Sequence, residues 1–166
     1  MTPKIPFAIA INLLFCLNCP SVSGSVWQEG NDAGQLLNTA QVTTELETLV
    51  AIRGDLTGVD DIDLYAIWIS NPMSFSATTV NPNTELIDTD LFLFRGDGTG
   101  VAANGDTDLF ETNATIPVGS VVIGSGLHYL GVATFGDTPN SELGWIFPET
   151  GLFTNPGEVV GPTGPG

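Results

Sequence analysis

The chain has very few positively charged residues. Of its 166 residues, three are Lys or Arg and 19 are Asp or Glu, which gives a net charge of −16. Nucleic acids and anionic lipids are bound through Lys and Arg side chains that neutralise phosphate charge. The composition therefore argues against nucleic acid as a partner. It fits attraction of divalent cations or solubility in a salty exterior.

Cysteine is nearly absent, and both copies lie in an N-terminal segment with the pattern of an export signal. A short start that carries the only lysine, Met1–Pro6, is followed by the apolar run Phe7–Leu17 and then by small residues. We predict a signal peptide over residues 1–24. Its removal takes Cys16 and Cys19 with it, although their C-x-x-C spacing also occurs in redox pairs and metal sites. The mature chain is then cysteine-free, carries a net charge of −17, and is secreted, periplasmic or on the cell surface.

Long apolar runs and long helical periodicities are also missing. The run in the predicted signal is shorter than the roughly 20 residues that cross a bilayer, and no later segment is long enough. No heptad pattern is present, while Gly 20 and Pro 11 are high and only 13% of residues are charged. These features predict an all-β protein. We expect an antiparallel β-sandwich of seven or eight short strands.

The chain divides into segments of different composition. After the predicted signal we expect a lead-in over residues 25–44, a sandwich domain over 45–154, and a Gly/Pro-rich tail over 155–166. The predicted strands of the domain are Glu47–Ile52, Leu64–Ser70, Phe75–Val80, Leu91–Phe94, Val101–Ala103, Ala114–Val118 with a continuation at Val121–Ile123, and Gly126–Thr134. Both alternating faces of Leu64–Ser70 are apolar, which predicts a central strand covered on each side.

The stretch from Asp88 to Asp108 is the most informative part of the sequence. Two apolar runs flank a turn rich in Gly and Asp, which predicts a strand, a tight turn and a second strand. Acidic and amide side chains gather at the two outer ends of this hairpin. Because those ends meet when the strands pair, the oxygens come together.

Oxygen clusters of this kind suit calcium, which takes six to eight oxygen ligands. The predicted calcium ligands at the hairpin are Asp88, Asp90, Asn104, Asp106 and Asp108. A weaker second set is Asp60, Asp61 and Asp63. Turn formation is the simpler explanation of the same residues, because Asp, Asn and Gly favour turns, and the spacing does not match a helix–loop–helix calcium site. Both explanations stay open.

The evidence for catalysis and adhesion in the sequence is weak. The single histidine, His128, lies in an apolar strand, and the mature chain has no nucleophile or zinc-protease motif. Arg53-Gly54-Asp55 and Arg95-Gly96-Asp97 match a short adhesion tripeptide, but each also fits a strand end followed by a turn. The tryptophans at 27, 68 and 145 are expected to pack in the core or the lead-in rather than to stack on sugars. We therefore predict no enzyme activity.

Several segments together resemble bacterial pre-peptidase C-terminal (PPC-type) domains and their stand-alone exported relatives. The most specific are DDIDLYAIWIS at 60–70 and DTDLFLF with GDGTGVAANGDT at 88–107. The resemblance also includes DAG at 32–34, TAQ at 39–41, FSATTV at 75–80, GLHYLGV at 126–132 and GPTGPG at 161–166, and so covers nearly all of the mature chain.

The resemblance implies a jelly-roll-like β-sandwich that serves as a non-catalytic accessory or surface module. Some such domains bind collagen, polysaccharide or calcium. Two departures stand out. No catalytic domain is attached, and the strand that usually follows the Gly/Pro-rich stretch is missing, so either the sequence is truncated or the sheet lacks its final strand.

The sequence thus predicts an exported β-sandwich module with a binding or assembly role and an extracellular polysaccharide or protein as its ligand. Calcium stabilisation is an option within this prediction. Two alternatives remain. One is a secreted hydrolase that uses a carboxylate pair, and the other is a purely structural surface or matrix protein.

Overall fold

The protein is built from short β-strands. The computed structural model describes residues 4–12, 24–43, 48–58, 60–80, 88–106, 112–148 and 158–164. Within these residues the strands are β1 (Ile5–Asn12), β2 (Ser25–Gln28), β3 (Gln41–Val42), β4 (Leu49–Leu56), β5 (Ile62–Ile69), β6 (Ser76–Val80), β7 (Thr89–Arg95), β8 (Gly100–Asn104), β9 (Thr115–Ile116), β10 (Gly126–Thr134), β11 (Asn140–Ser141) and β12 (Gly144–Trp145). A 3-10 turn at Pro72–Ser74 precedes β6. The predicted all-β class is confirmed.

Two five-stranded sheets pack face to face. Sheet A has the order β2-β4-β1-β6-β9 and sheet B the order β3-β5-β10-β7-β8, while β11 and β12 form a separate small pair. Aliphatic and aromatic side chains of both sheets fill the space between them, among them Ile9, Ile52, Tyr65 and Leu93. This is the predicted sandwich. The parallel pairs of the two sheets, β2 with β4 and β3 with β5, both involve strands of the lead-in.

Strand β5 carries apolar side chains on both faces of sheet B, and the outer face is covered only in part. Tyr65, Ile67 and Ile69 point into the space between the sheets. Leu64 points the other way, into a second apolar cluster with Phe92, Phe94 and Phe147. The central position of β5, between β3 and β10, is as predicted.

Trp68 also lies on the outer face of β5, but it is 56% exposed. The expectation that it packs in the core is wrong. The apolar cluster around Phe147 covers the outer face of sheet B near Leu64. Trp68 does not belong to this cluster.

Strand β1 occupies a position that the sequence did not suggest. It lies between β4 and β6 and is antiparallel to both, with Phe7, Ile9 and Ile11 buried. Pro6 pairs only toward β4, since the pairing with β6 begins at Ala8, so its missing N–H removes no bond to β6. The predicted signal residues therefore also form a strand of sheet A. Removal of residues 1–24 stays a prediction, and Cys16 and Cys19 lie outside the described residues.

The chain after β8 departs from the sequence prediction in two places. Ala114–Val118 is shortened to β9, an edge strand that stops before Pro117, which has no N–H to donate. The predicted continuation at Val121–Ile123 is wrong, because residues 121–124 form no strand, although Val121 and Ile123 still pack against the core. In the predicted tail, Val160 pairs with Ala103 of β8. In the part of the chain that the structure describes, no helix is long and apolar enough to cross a membrane.

Candidate metal centre

One end of sheet B gathers most of the acidic residues that the sequence singled out. Strands β5 and β7 begin at this end and β10 finishes there, so that Ala133 of β10 lies opposite both Ile62 and Asp90. The acidic residues that precede or open β5 and β7 consequently come to the same edge. They form two clusters. We define the first cluster as Asp32, Asp61 and Asp63, and the second as Asp88, Asp90 and Asp106.

The first cluster has the geometry of a cation site. Each of its three aspartates offers a carboxylate oxygen, and these oxygens all lie within 4.8 Å of one another. Asp32 is exposed, Asp61 is half-buried and Asp63 is fully buried, so the cluster leads from the surface into the rim of the core. Among the described residues it is the one group of three acidic, histidine or cysteine side chains with this closeness.

Thr57 and Glu29 hold the first cluster in place. The Thr57 hydroxyl donates to Oδ1 of Asp32 at 2.6 Å, and the Thr57 N–H donates to Oδ2 of Asp61. Glu29 accepts the N–H groups of Ala33 and Asp55, each at 2.8 Å. Through these bonds the loop after β4 and the lead-in are fixed to each other, and Asp32 is brought beside β5.

Asp63 carries the strongest electrostatic anomaly of the cluster. Its side chain is fully buried, its Oδ1 has no hydrogen-bond partner, and its Oδ2 lies 3.5 Å from the Tyr65 hydroxyl. Burial, followed by the charges of Glu29, Asp61 and Asp32, raises the pKa of Asp63 to about 8. Burial and the neighbouring Asp63 and Glu29 carboxyls also raise the pKa of the Tyr65 hydroxyl.

Among the described residues, no positive side chain forms an ion pair with the first cluster. The ion pair recorded among the described residues joins Lys4 to Asp55, at 3.5 Å and largely in solvent. A buried carboxylate without a partner costs several kcal/mol unless it is protonated or bound to a cation. Asp63 is therefore protonated, or the first cluster binds a cation that balances the charge of Asp63. Calcium fits this set, because it takes carboxylate oxygens and completes its shell with carbonyls and water.

Asp90 of the second cluster lies on the opposite face of the same sheet end. Asp90 is on the face of Phe92, toward the outer apolar cluster, whereas Asp63 is on the face of Tyr65. One oxygen of Asp90 accepts the Gly136 N–H at 3.3 Å, and the Oδ1 atoms of both Asp88 and Asp90 are buried without a partner.

Burial dominates the titration of this second cluster as well. It raises the pKa of Asp90 to about 8, with smaller contributions from Asp88, Asp106 and Asp137. The pKa of Asp88 rises to about 6 through burial and the charge of Asp106. Burial, and to a smaller extent the charges of Asp60 and Asp61, raise the pKa of Asp137. Asp137 in turn contributes to the raised pKa of Asp90, so its carboxyl links the two clusters electrostatically.

The structure brings some predicted ligands together and separates others. Asp61 and Asp63 belong to the first cluster, while Asp60 is exposed and outside it. Asp88, Asp90 and Asp106 influence one another's charge at the base of the hairpin. Asp108 lies outside the described residues.

Asn104 is held by three hydrogen bonds rather than pointing freely toward the acids. Its Nδ2 donates to the carbonyls of Asp106 at 3.1 Å and Glu158 at 3.0 Å, and its Oδ1 accepts the Thr115 N–H at 2.6 Å. The side chain thus connects β8 to β9 and to the tail, and its role as a calcium ligand stays a prediction.

Asn104→Ala should destabilise the protein by about 2–4 kcal/mol, because it removes three hydrogen bonds that the buried Asn104 side chain makes to the backbone of β9, the residues after β8 and the tail. Urea unfolding followed by fluorescence measures this change. Asn140→Ala, at an exposed position of β11, is the matched control and should stay within about 0.5 kcal/mol of the parent protein. Equal costs at the two positions would contradict the bridging role of Asn104.

The two Arg-Gly-Asp tripeptides and His128 have structural roles in the β-strands and turns. Arg53-Gly54-Asp55 lies inside β4 rather than at its end, so the prediction of a turn there is wrong. Arg95-Gly96-Asp97 does form the β7–β8 turn, with Gly98 at a φ of 89°. His128 is buried, its Nδ1 lies 3.1 Å from the Gly126 carbonyl, and burial lowers its pKa.

Sequence reasoning missed the contribution of the lead-in to the first cluster. Asp32 is separated from Asp61 by 29 positions in the chain, and the predicted ligand sets include no residue of the lead-in. Glu29, Thr57 and the Tyr65 hydroxyl were missed as well. The two acids Glu29 and Asp32 in the lead-in could have indicated a contribution to a metal site. The neighbouring sequence, however, does not indicate which strand end those acids contact.

The fold and the site define a β-sandwich protein with two carboxylate clusters at one end of a sheet. Comparison of the chain with models of known protein families, with curated proteins and with solved structures finds no match. The resemblance to PPC-type domains therefore rests on the quoted sequence segments alone.

Proposed function

We propose that this protein is an exported, non-enzymatic β-sandwich module that binds or assembles outside the cytoplasm and is stabilised by calcium. The observation that carries the metal part is the buried, unpartnered Oδ1 of Asp63 inside a group of three carboxylates. Export is supported by the signal-like N-terminus and the acidic, cysteine-free remainder of the chain.

The first cluster supplies the charge that a calcium ion needs. Asp32, Asp61 and Asp63 would hold the ion through their carboxylates, and the exposed side of Asp32 leaves room for water ligands. A bound cation removes the cost of ionising Asp63 in a buried position, because the attraction to the ion replaces lost hydration. The second cluster offers a further position with the same property, at Asp88 and Asp90.

Saturating calcium should raise the melting temperature of chelator-treated protein by roughly 5–10 °C. A ligand at 100 times its dissociation constant adds about 2.7 kcal/mol, and each kcal/mol corresponds to roughly 2–4 °C for a protein of this size. Differential scanning fluorimetry with calcium, with magnesium and with chelator measures the shift. Magnesium should give a smaller one, because it demands a compact octahedral shell.

Two variants test whether the calcium-induced shift in melting temperature depends on the first cluster or only on the overall negative charge. Asp63→Asn should lose most of the calcium shift, whereas Asp60→Asn changes the charge equally at an exposed neighbour outside the cluster and should keep it. An unchanged midpoint on adding calcium to the parent protein would remove calcium from the proposal. Loss of the shift only in Asp60→Asn would assign the ion to different ligands.

An exposed apolar pair supports a binding role for sheet B. Trp68 and Leu127 lie opposite each other on β5 and β10 and are 56% and 38% exposed. A tryptophan in such a position suits stacking on a sugar or packing against a protein. Arrays of polysaccharides and matrix proteins, compared between parent and Trp68→Ala, test this role. A blank array would favour the purely structural surface or matrix protein.

A carboxylate-pair hydrolase is the second candidate, and one observation favours it. Asp63, with its pKa raised to about 8, lies beside Asp61, and a protonated acid next to a second carboxyl is the arrangement of many glycosidases. Turnover on a panel of glycans and esters that disappears in Asp63→Asn would establish this function and overturn the non-enzymatic one.

A further inference from the structure

The residues of β1 carry two properties that conflict. Their sequence is that of an export signal, yet they form the central strand of sheet A. Strand β1 pairs with β4 from Ile5 to Ala10 and with β6 from Ala8 to Asn12. If the predicted signal is removed, both partners lose the strand between them.

The gap left by β1 is one strand wide. Because β1 is antiparallel to both neighbours, β4 and β6 run parallel to each other, and they are separated by two strand spacings, roughly 10 Å. Each would present unpaired N–H and C=O groups toward the gap, and edges of this kind pair readily with an added strand.

The floor of the gap is apolar and shaped for particular side chains. Phe7, Ile9 and Ile11 point into the core between the sheets, and the Phe7 ring lies 6.3 Å from the Tyr65 ring in an edge-to-face arrangement. Gly54 lies opposite Phe7, and a Cβ at Gly54 would come within 2.8 Å of the Phe7 ring. Glycine at this position therefore makes room for an aromatic side chain in the strand that fills the gap.

We propose that the processed protein has a strand-acceptor site between β4 and β6, and that this site binds an extended segment of a partner protein. The occupant runs antiparallel to both strands and carries no charge on its inward face. It places an aromatic residue opposite Gly54 and aliphatic residues at the next two alternate positions. This is the chemistry of β1 itself, which acts as the resident occupant before processing.

The proposal rests on the removal of residues 1–24, which also belongs to the proposed function, but it does not depend on calcium or on the carboxylate clusters. A partner strand is favoured over closure of the gap. Joining β4 directly to β6 would pull the two halves of sheet A one strand spacing together, while both remain packed on sheet B.

The test begins with the full chain, into which a protease recognition sequence is placed between residues 12 and 24. The folded protein is cut, the two fragments are separated in urea, and residues 24–166 are refolded with a fluorescent synthetic peptide of residues 4–12. We expect a one-to-one complex that restores the melting transition of the uncut protein. The peptide with Ile9→Asp should bind at least about 100-fold more weakly, since it buries a charge, and the peptide with Ala10→Asp should bind within about tenfold of the parent peptide.

Each other outcome overturns the proposal. A refolded body that melts cooperatively but binds no peptide shows that the gap closes. A body that forms a dimer and excludes the peptide shows that a second copy fills the gap. Aggregation that the parent peptide does not prevent shows that no acceptor site forms. An exported protein whose N-terminal sequence begins at Met1 shows that β1 keeps its place. Calcium stabilisation of the uncut chain is measured separately and is unaffected by any of these results.

Discussion

In the presence of a chelator, the free energy of unfolding should fall as the pH rises from about 4 to about 8. Asp63 and Asp90 have their pKa raised to about 8 in the folded protein, whereas an unfolded aspartate titrates near 4. Between these values the folded state binds more protons than the unfolded state, so stability decreases with increasing pH. The stabilisation is fully present below the unfolded pKa and is lost as the pH passes through the folded pKa. Each carboxyl contributes a slope of at most about 1.4 kcal/mol per pH unit.

Asp88 adds to the lower part of the same window, since its folded pKa rises to about 6. Urea unfolding at a series of pH values, in chelator and in calcium, measures the slope. Calcium should remove most of the loss above pH 6 or so, because an ion bound to the ionised carboxylates replaces the proton. Calorimetric titration near neutral pH should also show that calcium binding releases protons into the buffer.

Asp63→Asn is the informative variant for this slope, because it removes one titrating group without a large change in volume. Asp97→Asn is its matched control. Asp97 is exposed in the β7–β8 turn, and its hydrogen bonds to Thr99 lower its pKa, so it titrates below this window. A pH profile that rises or stays flat in chelator would contradict the burial of ionisable carboxyls at the end of sheet B.

Ile9→Asp should unfold the full-length protein or destabilise it by more than about 4 kcal/mol. Ile9 is fully buried at the centre of β1 and contacts the apolar core between the sheets. The substitution loses the burial of a large aliphatic side chain, about 1.5–3 kcal/mol, and places a carboxylate in an apolar environment, which costs several kcal/mol more. Circular dichroism and urea unfolding of protein made without export measure this effect.

Ala10→Asp is the control for that variant, since it changes the adjacent residue of the same strand. Ala10 is exposed, so the new carboxylate stays in water and the cost should remain below about 1 kcal/mol. Both substitutions place a charge in the apolar run of the predicted signal and should impair export to a similar degree. A large difference in stability with similar loss of export would show that the segment serves as signal and as strand. Equal stabilities would mean that β1 does not belong to the fold.

Much of sheet B was predictable because its information is local. Short runs rich in apolar residues define β5 and β10, and the Gly/Asp turn between β7 and β8 defines the hairpin, so these elements were found within a few residues of their ends. Their pairing through β10 was not apparent from the sequence. The order of strands in a sheet depends on contacts between residues far apart in the chain, which short-range periodicity does not encode.

Strand β1 of sheet A shows that a single segment of sequence can fit two structures. The apolar run that includes Phe7, Ile9 and Ile11 fits a signal by its length, its flanks and its position at the start of the chain. An apolar run of this length also fits a buried strand, and periodicity alone does not separate the two. Only the pairing with β4 and β6 shows which side chains face the core.

The sequence by itself determined the all-β class, the longer strands other than β1, the acidic character and the presence of carboxylates at the ends of β5 and β7. Tertiary structure decided which of those carboxylates meet. It brought Asp32 from the lead-in to Asp61 and Asp63, left Asp60 in solvent and tied Asn104 to β9 and the tail. The physical reason is that strand formation follows local alternation, whereas a cluster of charges depends on how distant loops dock and on how much water each carboxyl keeps.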